Sequence, residues 1–323
     1  MSDFGKTGVM TGFDVIGDVH GHADRLQRLL ALMGYTERHR VWAHPDRTAV
    51  FLGDLIDRGP GLLETLRLVR AMVEAGSAQV VLGNHEFNAV AYATFDPGRG
   101  DHCRPRSEKN HGQHEAFLSE VPADSPLHRS IVDWFLTIPM WLDLDGMRVV
   151  HACWSADHIE HLETVSGPGN TLTEQTVIDG TTKGTATYDA IETVLKGPEI
   201  DLDGVWYRDK DGHERRHARL RWWDSTATTL TTSVSIAPGT QLYDPDDQPI
   251  DELPDRERHD AERQAYTGPA PVLFGHYWWR KEWAEPINPL ATCLDYSVAK
   301  GGILRAYRWD GEPEIDTHKF VDG

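Results

Sequence analysis

The chain has 323 residues, 39% of them hydrophobic and 26% charged, the make-up of a folded, water-exposed protein with apolar material for one large domain or two small ones. No run approaches the roughly eighteen apolar residues of a membrane-spanning helix, and "MSDFGKTGVMTGF" at the start lacks the basic-then-apolar order of a secretory signal, so the expected location is the cytoplasm. A formal charge of −19 argues against extended binding to duplex nucleic acid, and the scattered Cys103, Cys153 and Cys293 form neither a disulfide framework nor a CxxC metal motif.

Three similar units open the chain. "GFDVIGD" is a short apolar run ending in Gly17-Asp18, "TAVFLGD" ends in Gly53-Asp54, and "AQVVLGN" ends in Gly83-Asn84. Each reads as a buried strand. Between them, Leu26, Leu29, Leu30 and Met33 share one face of a helix over about 23–33, and Leu62, Leu66, Val69 and Val73 one face of a helix over about 61–75. Strand, helix, strand, helix, strand implies parallel strands with right-handed crossovers. Residues 95–125 read as a long polar loop followed by a short helix, and "SIVDWFLTIPMW" as a helix leading into a turn. "MRVVHACW" is another strand ending in a polar group, His151. Residues 155–265, rich in Gly, Thr, Asp and Pro, read as an irregular insertion or lid. "APVLFGHYWW" restores the strand form and ends at His276, and "ATCLDYSVAKGGILRAYRWDG" predicts a closing antiparallel pair joined near Gly301-Gly302. No linker divides the chain, so one domain over 1–323 is expected.

In open α/β sheets the ligand site lies beyond the carboxyl ends of the strands. Asp18 with His20, Asp54, Asn84, His151 and His276 all stand there. Oxygen and imidazole groups without thiolate suit manganese first, with iron, zinc or magnesium as alternatives. Six ligands exceed the needs of one tetrahedral ion and suffice for two divalent ions sharing a carboxylate, the arrangement that serves in-line displacement at phosphorus.

"GDVHG" at 17–21, "GDLIDRG" at 53–59, "GNHE" at 83–86, an isolated histidine and then "GH" at 275–276 resemble, in order, the signature of the metallophosphoesterase (calcineurin-like) superfamily. Within it they resemble the phosphoprotein phosphatase branch, which also contains lambda-type Ser/Thr phosphatases and diadenosine tetraphosphatases. The resemblance implies an α/β fold in α/β/β/α layers around a central β-sandwich. It assigns Asp18 and His20 to the first ion, Asp54 to both, and Asn84, His151 and His276 to the second. His85 would protonate the leaving group, Asp57 would orient His85, and Arg58 would clamp phosphate. The implied reaction is hydrolysis of a phosphate monoester by a metal-activated hydroxide, with inversion at phosphorus.

A phosphorylated Ser/Thr protein is the first substrate expected, since "GNHE" resembles the protein phosphatases. Leu82, however, stands where the eukaryotic enzymes usually carry Arg. The alternatives are a nucleotide or dinucleoside polyphosphate hydrolase or an RNA-end phosphatase, and, in another class, an inactive phosphoprotein-binding scaffold. In the basic segment "RDKDGHERRHARLRWW", Arg219 and Arg221 alternate with apolar residues and are candidates for a second phosphate-facing arginine. Glu86 is expected to support its neighbours or begin a helix rather than bind metal. "DHCRPRSEKNHGQH" matches no standard zinc spacing and reads as a solvated loop near the site rim. "YWWRKEW" at 277–283 reads as packing and rim, and the acidic stretch 244–264 as a solvated loop.

Overall fold

A computed structural model describes residues 12–208, 212–224, 226–237, 239–254, 256–257, 266–279 and 288–323. The start of the chain, Arg280–Trp283 and the end of the acidic stretch, read above from sequence, lie outside the described residues. The elements that carry the site are β1 (Gly12–Ile16), α1 (Ala23–Leu32), β2 (Arg47–Phe51), α2 (Leu62–Glu74), β3 (Ala78–Val80), α3 (Asn84–Ala93), α4 (Glu108–Gln113), α5 (Glu115–Glu120), α6 (Pro126–Phe135), β4 (Trp141–Leu144), β5 (Met147–Val150), α7 (Ala156–Val165), α8 (Glu174–Gly180), α9 (Ala186–Lys196), β6 (Val272–Phe274), β7 (Ala291–Cys293), β8 (Arg305–Trp309) and β9 (Phe320–Asp322).

Two sheets face each other. The first has the order β9-β8-β1-β2-β3 and the second β7-β6-β5-β4. β1, β2 and β3 run parallel as expected, with Val15 beside Val50 and Phe51 beside Val80. Side chains alternate across each strand, so both faces of both sheets need cover. Val15, Val50, Leu52 and Val81 point inward and meet Met147, Val149, Leu273 and Leu294 from the other sheet. On the outer face of the first sheet, Ile16, Phe51 and Val80 join Leu26, Leu29 and Leu30 of α1 and Leu66, Val69 and Met72 of α2 in one buried cluster. Phe274 on the outer face of the second sheet lies 4.8 Å from Trp222 and 4.9 Å from Trp223, ring centre to ring centre. The result is the α/β/β/α layering that the motifs imply. Among the described residues no helix is long and apolar enough to cross a membrane.

Three local expectations are corrected. The segment 291–311 is not an antiparallel pair: β7 runs parallel to β6 in the second sheet, while β8 runs antiparallel to β1 in the first. The Gly301-Gly302 turn resembles a hairpin locally, but the residues before and after it are each buried in a different sheet, so the chain crosses the edge of the sandwich there. Residues 155–265 begin with three helices, α7, α8 and α9. Their Thr residues are caps rather than loop markers: Thr173 accepts from Thr176 N and Thr185 from Tyr188 N. Only beyond Lys196 does the segment become a set of short strands, forming two small sheets around Ile200, Val205, Ala218, Leu220 and Leu242. Residues 95–125 hold a short hairpin and two helices, α4 and α5, instead of a loop and one helix.

Leu273 is fully buried between the sheets. Leu273→Ala should cost about 2–5 kcal/mol in denaturant unfolding, the range for a large-to-small change in a packed interior.

Candidate active site

Each candidate ligand follows a strand. Asp18 and His20 follow β1, Asp54 follows β2, Asn84 opens α3 after β3, His151 follows β5 and His276 follows β6. The strand-end loops are stitched together through the backbone: His20 N donates to Asp54 O at 2.8 Å and Gly275 N to His151 O at 2.8 Å. His20, Asp54, Asp57, Arg58, His276, Trp278 and Ser297 all have φ between +45° and +78°. Non-glycine residues in that region carry strain that the surroundings must hold in place.

The six predicted ligands come together. His20 Nε2 is 3.5 Å from Asp54 Oδ2, and His151 Nε2 is 3.4 Å from Asp54 Oδ1, so the two oxygens of one carboxylate face different imidazoles. His20 Nδ1 donates to Ile56 O at 3.0 Å and His151 Nδ1 to Leu52 O at 2.6 Å. Those bonds place the hydrogen on Nδ1 and leave a lone pair on each neutral Nε2. His151 Nε2 then faces Asn84 Oδ1 at 3.1 Å, acceptor against acceptor. Asp18 Oδ1, His20 Nε2 and both ring nitrogens of His276 are buried with no hydrogen-bond partner. Asp18 Oδ2 accepts from His276 N at 3.1 Å.

The electrostatics point the same way. Burial, then repulsion from Asp295 and Asp54, pushes the Asp18 carboxyl well above its usual range. Burial pulls His20 down to about 3 and lowers His151 and His276, keeping the imidazoles neutral. Buried anions and unpaired lone pairs are costly unless a cation compensates them. The donor set therefore fits divalent ions. His20, Asp54 and His85, and Asp54, His151 and His276, form two groups whose ligand atoms lie within 4.8 Å of one another and share Asp54.

The supporting residues are equally specific. His85 Nδ1 lies 2.7 Å from Asp57 Oδ2, and Arg58 Nη2 is 3.5 Å from His85 Nε2. Buried Glu86 accepts from Asp54 N and Leu55 N, both at 2.8 Å, and from Gly83 N at 3.1 Å, so it clamps one strand-end loop to another, as the sequence reading expected. Burial, then repulsion from Asp54, raises it to about 7.

Two contributors, Asp295 and His114, were missed, and Trp278, read as packing and rim, makes a specific contact there. Asp295 accepts from Trp278 N at 3.0 Å and Ser297 N at 2.9 Å. "CLD" has the same strand-then-acid form as the other motifs, but reading it as part of a hairpin removed it from the rim. Trp278 carries the Arg58 guanidinium 4.5 Å from its ring centre and the Lys300 ammonium 5.0 Å away. His114, assigned to a solvated loop, is instead buried and reaches Asp57. Among the described residues, the histidines and cysteine of that segment form no separate metal-ligand group.

A cleft of about 990 Å³ opens over the cluster. Asp54, Asn84, His85 and His276 form its floor, and Tyr207, Arg208, Arg215, Arg219 and Tyr243 from the small sheets form a far wall. Of the two candidates for a second phosphate-facing arginine, Arg219 lines this cleft and Arg221 does not. The strand ends at Leu220 and the backbone turns, with Asp224 N bonded to Arg221 O, so the alternation that would align them stops.

A β-sandwich whose strand ends gather His and Asp side chains around one shared carboxylate defines a metal-dependent hydrolase. The sequence model of the calcineurin-like phosphoesterases matches residues 12–179, and the chain belongs to that family. A symmetrical bis(5'-nucleosyl)-tetraphosphatase of Vibrio parahaemolyticus is 40% identical, with the alignment covering 95% of this chain and 98% of that one. The asymmetrical bis(5'-nucleosyl)-tetraphosphatase PrpE of Bacillus subtilis is 37% identical over 46% of this chain, and that of Halalkalibacterium halodurans 50% identical over 23%. Against these two relatives the chain spans only 59% and 30% of their length.

Divalent ions should stabilise the fold by relieving the buried repulsion. Manganese at about one hundred times its Kd should add about 2.7 kcal/mol, read as a rise in the thermal midpoint of metal-free protein, and Asp54→Asn should remove most of that rise. A Cβ on Gly275 would stand 2.0 Å from Asp18 Oδ1. Gly275→Ala should therefore weaken manganese binding by calorimetry at least about tenfold, with the circular dichroism spectrum unchanged.

Proposed function

We propose that this phosphoesterase hydrolyses dinucleoside polyphosphates, with Asp18, His20, Asp54, Asn84, His151 and His276 holding two divalent ions, manganese first. The observation that carries the reading is the cleft. Five cationic side chains, Arg58, Arg208, Arg215, Arg219 and Lys300, line it against two carboxylates, Asp54 and Glu199, in a chain of net charge −19. A run of phosphates is the ligand that such a channel neutralises along its length. Tyr207, Tyr243, Tyr277, Trp278 and Tyr296 also line it and offer faces for bases. The full-length Vibrio relative supports the same substrate class.

The ions would supply an acidified water as nucleophile and neutralise the attacked phosphoryl group. The protein's own part is positioning. Arg58, held over Trp278, offers a planar fork to phosphate oxygens. Arg219, with no carboxylate partner among the described residues, offers a second cation farther along the channel. His85, on Asp57, faces the cleft as the proton donor to the leaving oxygen. The insertion within 155–265 acts as the wall that selects the substrate.

The protein-phosphoester reading placed first from sequence thus becomes second, but one observation favours it. A nucleotide leaves an anhydride as an anion that needs little help, whereas an alkoxide needs a proton. The His85–Asp57 pair is suited to supplying one.

Turnover of diadenosine tetraphosphate and of a phosphoserine peptide by manganese-loaded protein separates the two, with Asp54→Asn as the blank. We expect kcat/KM for the dinucleotide to exceed that for the peptide about a hundredfold, with two nucleoside diphosphates as products. Arg219→Ala should lower it about tenfold. The reverse preference would replace the proposal with a protein phosphatase.

A further inference from the structure

Asp57 serves two histidines, not one. His85 Nδ1 is 2.7 Å from Oδ2, and His114 Nδ1 is 3.2 Å from Oδ1 and 3.3 Å from Oδ2. An ionised carboxylate only accepts, so both Nδ1 atoms carry hydrogen. His114 Nε2 is buried without a partner. The buried ring therefore makes its side-chain hydrogen bonds to Asp57 through Nδ1. The ring is held in place by its surroundings: it is 4% exposed, and its centre lies 4.8 Å from that of Phe117 and 5.6 Å from that of Tyr92. It sits at the junction of α4 and α5, on a segment separate in sequence from the strand-end loops.

Asp57 needs such a hold. It stands at φ +65° beside Arg58 at φ +78°, on a loop strained in the left-handed region. A single bond to His85 leaves the carboxylate free to swing about its own χ angles. A second bond from an immobile ring, reaching both oxygens from another element, fixes its plane.

We propose that His114 is a positioning residue: it locks the Asp57 carboxylate so that His85 presents Nε2 to the leaving oxygen in the cleft. This rests on reading His85 as the proton donor. As the P–O bond breaks, its electron pair stays on the oxygen and the Nε2 proton moves there, while His114 exchanges no proton. The contribution is therefore geometric and is felt where leaving-group protonation limits the rate.

Kinetics on two model monoesters with manganese-loaded protein test this: phenyl phosphate, whose leaving group needs a proton, and p-nitrophenyl phosphate, whose leaving group needs one far less. His114→Phe keeps the ring and removes the donor, and His114→Asn restores a donor near the Nδ1 position. We expect His114→Phe to lower kcat about tenfold on phenyl phosphate with KM within twofold, to lower it less than threefold on p-nitrophenyl phosphate, and to be largely rescued by His114→Asn. In an Asp57→Asn background, His114→Phe should have no further effect. Equal losses on both esters, or failure of His114→Asn to rescue, would reduce His114 to a packing residue. His85→Asn separates the premises. If it lacks the leaving-group dependence, the proton-donor reading fails. If it has the dependence and His114→Phe does not, only the proposal for His114 fails. Should neither ester turn over, nitrogen NMR of histidine-labelled, metal-free protein decides: the hydrogen-bonded His85 Nδ1–H signal should persist in His114→Asn and broaden away in His114→Phe, and its persistence in both would overturn the proposal.

Discussion

His151 Nε2 and Asn84 Oδ1 lie 3.1 Å apart with no hydrogen to join them, because the only hydrogen on the neutral ring is committed to Leu52 O. Around that contact stand the unpartnered Asp18 Oδ1, the unpartnered His20 Nε2, the lone-pair nitrogen of His276 and the carboxylate of Asp54, all buried. Hydrogen bonding within the protein cannot satisfy this many acceptors at once. Divalent cations would compensate them, and Asp54 belongs to both candidate ligand groups. The rest of the molecule holds these repelling atoms together against their own electrostatics.

The means are visible in the loops. Seven residues around the site adopt positive φ without being glycine, and two buried carboxylates that need not touch an ion tie the loops down. Glu86 gathers backbone N–H groups from the loop after β2 and from the start of α3. Asp295 does the same for Trp278 and Ser297 at the opposite rim. Through Trp278 the second tie extends to Arg58, whose guanidinium lies over the indole. The sandwich supplies a rigid base, and the ties turn it into a rigid site.

Charge is then partitioned in space. A strongly acidic chain lines one channel mainly with cations, with Arg208, Arg215 and Arg219 on a wall built by the small sheets. The floor and the wall are separate pieces of folding: one packs against the inner sandwich cluster, the other around its own small apolar cluster. Such a division lets the chemistry of the floor stay constant while the wall sets what can lie along it.

Much of this was legible in the sequence. The parallel strands and their helices follow from short apolar runs and helical periodicity. The convergence of the six candidate ligands follows from one rule, that polar groups at the ends of buried strands meet at one rim. Local pattern determined those features because the strands and the residues ending them are contiguous in the chain. It did not determine where β7 and β8 go, since a Gly-Gly turn looks the same whether the strands it joins pair with each other or enter different sheets. It did not separate Arg219 from Arg221, because a strand's end is set by the bonds its backbone makes. And it could not assign His114 to Asp57, a contact between segments whose spacing carries no periodic signal. Side chains within one element were readable from the sequence; ties between elements were decided by the tertiary packing that brings distant segments within hydrogen-bond reach.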